Sequence, residues 1–175
     1  MAVFTVEVKD QEVLARLRDL VAKVGKPQAA LQEIGEDIME RTKRRFDTGT
    51  GPDGARWAPN APSTIAAYIA KRGGTGKRGT AKKGVGLATG KRPLIGFSKD
   101  LARQFDVRVD GNSVTVGSTM RYAAMQQFGG KRSQFPHLWG DIPARPFLAV
   151  TLSGDLYPAE RDAIVATLNR YLAGA

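Results

Sequence analysis

The chain has no cysteine and one histidine among its 175 residues. The first absence removes every disulfide framework and thiolate metal site, and the second removes any site built from several imidazoles. No run of about eighteen apolar residues occurs, so no membrane-spanning helix is expected. Residues 1–4 carry neither the basic opening nor the apolar stretch of a secretory leader, and the expectation is a soluble protein made where it is used. A further absence is local. Between Gly54 and Lys99 there is no acidic residue, against ten basic ones: Arg56, Lys71, Arg72, Lys77, Arg78, Lys82, Lys83, Lys91, Arg92 and Lys99. The whole chain holds 27 Lys and Arg against 17 Asp and Glu, a net charge of +10, so the excess sits entirely in this segment. Charge concentrated in this way points to a partner surface of opposite sign.

Length and ordinary composition suit a single domain over residues 1–175. Phe4, Val6 and Val8 alternate with polar residues as a short strand does. Asp10 then opens a helix with an apolar stripe of Val13, Leu14, Leu17, Leu20, Val21 and Val24, stopped by Gly25 and Pro27. A second helix is predicted over 28–46, its apolar side formed by Leu31, Ile34, Ile38, Met39 and Phe46. Its acidic start and basic end agree with the helix dipole. Residues 47–62 read as an irregular loop anchored by Trp57, and 63–70 as a short helix. Residues 71–92 form a basic insert rich in glycine, with little apolar area to offset the entropy of ordering, and are expected to be a flexible loop.

Phe105, Val107 and Val109, then Asp110-Gly111-Asn112, then Val114 and Val116 spell a β-hairpin. A short helix near 120–128 should end at Gly129-Gly130, and 142–150 should be extended under Pro143 and Pro146. A last helix is expected over 156–172, with Ile164, Leu168, Tyr171 and Leu172 inward. The fold class is therefore α+β: a small, mostly antiparallel sheet packed against helices.

Catalytic patterns fail on inspection. Lys77 and Lys91 are each followed by Arg, where a phosphate loop needs Ser or Thr to hold magnesium, and residues 84–90 have the wrong spacing for a dinucleotide fingerprint. His137 has no recognisable orienting partner. Glu33, Glu36, Asp37 and Glu40 share one helix face, which reads as a solvated face paired with nearby Arg and Lys. No serine stands in a nucleophile elbow. The expectation is a protein that is not an enzyme and that uses no cofactor or metal.

Three ordered stretches carry a resemblance. The first is Phe46, then Pro52-Asp53-Gly54-Ala55-Arg56-Trp57-Ala58-Pro59. The second is residues 114–118 leading into Tyr122-Ala123-Ala124-Met125-Gln126-Gln127-Phe128-Gly129-Gly130. The third is Ile142-Pro143-Ala144-Arg145-Pro146-Phe147-Leu148. Together they resemble the phage virion morphogenesis family of Mu-like tailed phages and prophages. The resemblance implies a structural role in tail completion or head–tail joining at the neck. Tail and connector proteins would be its partners, in a homo-oligomeric ring with six-fold closure as one option. It also implies assembly in the host bacterial cytoplasm and residence in the virion.

Within those motifs Trp57 is expected to anchor its loop, Gly129 and Gly130 to stop a helix, and Pro143 and Pro146 to hold Arg145 extended. Tyr122, Gln127, Phe128 and Phe147 complete the structural set. The Arg145 guanidinium should meet a carboxylate, in its own fold or in a neighbouring copy. Lys71, Arg72, Lys77, Arg78, Lys82, Lys83, Lys91 and Arg92 are the candidates for contact with protein partners or phage DNA. The alternative reading from the same charge is a sequence-nonspecific nucleic-acid-binding protein, whose affinity would fall steeply with salt. Between the two, acidic surfaces of neighbouring proteins are the favoured target.

Overall fold

The computed structural model describes residues 11–71, 90–138 and 140–173. The expected strand at Phe4–Val8 and the bulk of the basic insert, residues 72–89, lie outside the described residues. Described are six helices and one antiparallel hairpin, so the protein is α+β. The elements are α1 (Gln11–Val24), α2 (Gln28–Thr48), α3 (Pro62–Lys71), α4 (Asp100–Arg103), β1 (Phe105–Asp110), β2 (Ser113–Ser118), α5 (Ala123–Phe128) and α6 (Pro158–Ala173).

The long helix α2 spans about 32 Å at 1.5 Å per residue and organises the rest. Its N-terminal half lies on the hairpin and α6: Ile34 and Ile38 bury against Val114, Val116, Ala149 and Ile164. Contact with the hairpin is close because residue 35 is glycine. A Cβ there would stand 2.5 Å from Val107 Cγ1 and 2.8 Å from Val114 Cγ2. The hairpin register pairs Val107 with Val116 and Val109 with Val114, and alternation along β1 turns Phe105, Val107 and Val109 inward. The C-terminal end of α2 carries Phe46 into a second cluster with Trp57, Leu101, Ala123 and Phe147. Phe46 meets Trp57 edge-on at 5.3 Å between ring centroids and Phe147 at 5.3 Å.

Two expectations about buried faces are corrected. Val21 and Val24 of α1 stand 73% and 66% exposed. Just beyond the end of α1, the Lys26 carbonyl accepts from Tyr171 of α6 at 3.1 Å, a polar contact that does not cover these valines. On α6 the buried residues are Glu160 and Thr167, with Ile164 half-buried against the core, whereas Leu168 is exposed. The helix is turned so that Glu160 meets Arg45; Ile164, Tyr171 and Leu172 of the expected stripe are half-buried, and of that stripe Leu168 alone faces solvent. Residues 142–147 run without helix as expected, the chain bends at Leu148 and Ala149, and the segment joins no sheet among the described residues. Single bridges at Gly130–Ile142 and Val150–Leu156 fix the ends of the segment.

Candidate functional site

The three sequence motifs converge on the segment 142–150. Gln127, on α5, is fully buried. Its Oε1 accepts the backbone N–H groups of Phe147 at 2.8 Å and Leu148 at 2.9 Å, and its Nε2 donates to the Val150 carbonyl at 3.0 Å. One amide thus satisfies three backbone groups of a segment without a strand partner, groups that would be costly to bury unpaired. Gly129 ends α5 at φ +75°. A Cβ there would lie 2.8 Å from both Ala144 N and Ile142 O, so glycine lets the two backbones meet. Gly130 and Ile142 then exchange hydrogen bonds of 2.9 and 2.8 Å.

The first motif closes on the same segment. Trp57 Nε1 donates to the Pro146 carbonyl at 2.8 Å. Arg145 reaches back: its Nε donates to Ala58 O and its Nη2 to Pro59 O, both at 2.8 Å. The carboxylate expected for Arg145 in its own fold is therefore replaced by two carbonyls of the proline-bounded loop, whose N–H-poor backbone leaves acceptors free. Burial pushes this guanidinium below the ordinary arginine range. Phe147 is buried in the aromatic cluster. Tyr122 and Phe128 are exposed, so they belong to the surface and not to the core.

Sequence reasoning missed a buried ionic knot beside this unit. Glu160 accepts from Arg45 Nη2 in a buried pair and from Arg41 Nε at 3.2 Å. Arg45 Nη1 also donates to the Phe147 carbonyl at 2.7 Å. Burial lowers the Arg45 pKa, with Glu160 acting in the opposite direction. A signal existed, since Arg45 follows Ile34, Ile38 and Thr42 at helical spacing on the inward side of α2. Three of the four acids on the solvated side pair as expected: Asp37 with Arg41, Glu40 with Arg44 at 3.8 Å, and Glu33 with Arg170 at 2.6 Å, whereas Glu36 accepts from Gln32 at 2.7 Å. Among the described residues no group of three metal-ligating side chains exists.

Of the basic candidates, Arg72, Lys77, Arg78, Lys82 and Lys83 lie outside the described residues. Lys71 is exposed at the end of α3, its Nζ 4.8 Å from the Phe97 ring centroid. Arg92 donates to the Asp47 carbonyl at 2.9 Å. Lys91 turns inward: it donates to the carbonyls of Arg92, at 3.1 Å, and Ile95, and lies 5.4 Å from the Tyr68 ring centroid. Burial, then the charge of Arg145, lower its pKa.

Two clefts share the wall at Ile95. The larger, about 590 Å³, holds both Lys91 and Arg145. The other, about 350 Å³, is rimmed by Lys43, Arg92, Lys99 and Arg103 with Asp47.

These features define a small structural α+β unit in which irregular segments are held by side-chain-to-backbone bonds around a basic surface. The chain belongs to the phage virion morphogenesis family, whose sequence model matches residues 8–173. Its role is thus that of a structural phage protein in virion assembly, associated with the virion and with other virion proteins. Among the described residues no helix is long and apolar enough to cross a membrane. No curated protein and no solved structure matches the chain.

Proposed function

We propose that the protein completes the tail and joins it to the head at the neck of a tailed phage or prophage, as a structural subunit that performs no reaction. The observation that carries this reading is the family match over residues 8–173. The folded unit would form a homo-oligomeric ring, with one surface of each copy matching a different surface of the next. Six-fold closure suits such a ring, and its other neighbours would be tail and connector proteins. Assembly takes place in the host cytoplasm. Inactivating the gene in a phage-producing culture should yield filled heads and unattached tails under the electron microscope. Normal infectious particles from the inactivated strain would contradict the proposal.

One observation favours a second reading. The exposed Arg92, Lys99 and Arg103 with the half-buried Lys43 rim one cleft, and such a cluster suits a phosphate backbone. Binding of the purified protein to random duplex DNA across a salt series tests it. A log–log slope near zero, or no binding at low salt, removes this reading.

A further inference from the structure

We infer that the cleft holding Arg145 and Lys91 is a docking socket for an acidic segment of a neighbouring virion protein, a carboxylate flanked by aliphatic side chains. This inference rests on the virion-joining reading above and names the chemistry of the partner.

The socket holds two cations and one carboxylate, and neither cation is paired with that carboxylate. Arg145 is only 7% exposed, and its protein partners are two neutral carbonyls. Among the described residues neither Arg145 nor Lys91 forms an ion pair, although each feels burial and Lys91 feels the charge of Arg145. Asp141 also borders the cleft, but it is exposed and its Oδ1 accepts the Arg132 N–H at 2.8 Å. A recessed pair of cations that no acid pairs with attracts an anion strongly, because burial limits the water that screens it.

The remaining walls select which anion. Leu94, Ile95, Leu101, Ile142 and Pro143 give the cleft an apolar lining, which suits the methylenes of Glu and aliphatic neighbours. A duplex phosphate backbone is a broad, uniformly charged surface, and exposed cations such as those of the second cleft serve it better. The socket also stands at the foot of the basic insert. Lys71 and Gly90 bound the undescribed residues, and Lys71, Phe97, Tyr68 and Lys91 form a continuous row, with the two rings stacked at 5.3 Å. Electrostatic steering by this concentration of charge would bring an acidic partner to the cleft.

The test uses full-length protein with isotopically labelled Arg and Lys side chains. It is titrated by NMR with millimolar Ac-Leu-Glu-Leu-NH2, with the matching Gln peptide, and with a short random duplex. The Glu peptide should shift the Arg145 Nε–Hε and Lys91 signals, and the Gln peptide and duplex should leave them in place. Lys91→Gln should weaken the Glu peptide about tenfold. Thr64→Trp, at an exposed wall position, should block the cleft while leaving Lys91 and Arg145 themselves unchanged. Equal shifts from the Glu and Gln peptides, no shifts at all, or equally strong shifts from the duplex would overturn the inference. Particle assembly separates the two levels. If Thr64→Trp supports normal particles while gene inactivation does not, the socket is refuted and the joining role stands. If inactivation itself leaves particles normal, the joining role fails whatever the peptide titration shows.

Discussion

Replacing Glu160 with Ala should be among the most damaging single changes in this protein. Glu160 is 3% exposed and Arg45 7%, so the substitution leaves a guanidinium in the core with the Phe147 carbonyl and the Thr42 hydroxyl as its remaining partners. Arg41 keeps Asp37, and the loss therefore centres on Arg45. Removing one partner of a buried ion pair costs about 3–5 kcal/mol, whereas replacing both by apolar residues of similar volume is often neutral. At about 3 °C per kcal/mol for a domain of this size, the midpoint should fall by about 10–15 °C. Urea unfolding followed by circular dichroism at constant temperature measures the free energy directly. The double variant Arg45→Met/Glu160→Leu should be more stable than Glu160→Ala but short of wild type, because the Phe147 carbonyl loses its donor. A loss below about 1 kcal/mol for Glu160→Ala, or a double variant no more stable than the single, would refute the reasoning.

Gln127→Leu leaves two N–H groups and a carbonyl unpaired in the core and should cost about 3 kcal/mol or more; a thermal melt within a few degrees of wild type would count against the hub. Gly35→Ala gains about 1 kcal/mol of helix propensity but drives a methyl into the branched side chains of Val107 and Val114. A net loss of about 1–2 kcal/mol in denaturant unfolding is expected, and a net gain would show that the helix–hairpin contact is loose. Burial, then the charge of Asp53, raise the Tyr157 pKa above 10.0. Below pH 10 the neutral phenol's contribution to stability is fully present, and it is lost as pH rises through the folded-state value, because the unfolded chain releases that proton first. Unfolding curves in the alkaline range should therefore decline less steeply for Tyr157→Phe than for wild type; identical slopes would remove the effect.

Local patterns were legible where the backbone satisfies itself. The hairpin follows from alternation around Asp110-Gly111, and the inward residues Ile34, Ile38 and Phe46 follow from helical spacing. The three motifs, at 52–59, 122–130 and 142–148, were legible as an ordered set that points to a family. What they could not announce is the acceptor of each donor. Arg145 reads as a residue in need of a carboxylate, yet carbonyls freed by the proline-bounded loop take that place. Ionic residues are usually exposed, no local pattern joins Arg45 to Glu160, and only the rotation of α6 reveals their pairing. The same rotation exposes Leu168, which periodicity alone placed inside.

The bonds that knit the ends of this chain also set when it can fold. Arg45 meets Glu160 across 115 positions, Trp57 meets Pro146 across 89, and Arg145 meets Ala58 across 87. Closures of that span form late and slow the search for the native state. During synthesis α2 and the hairpin are out of the ribosome long before α6 arrives, and until then Arg45 has no acid to meet. A chain that stops before α6 therefore lacks the acid that Arg45 meets in the folded protein.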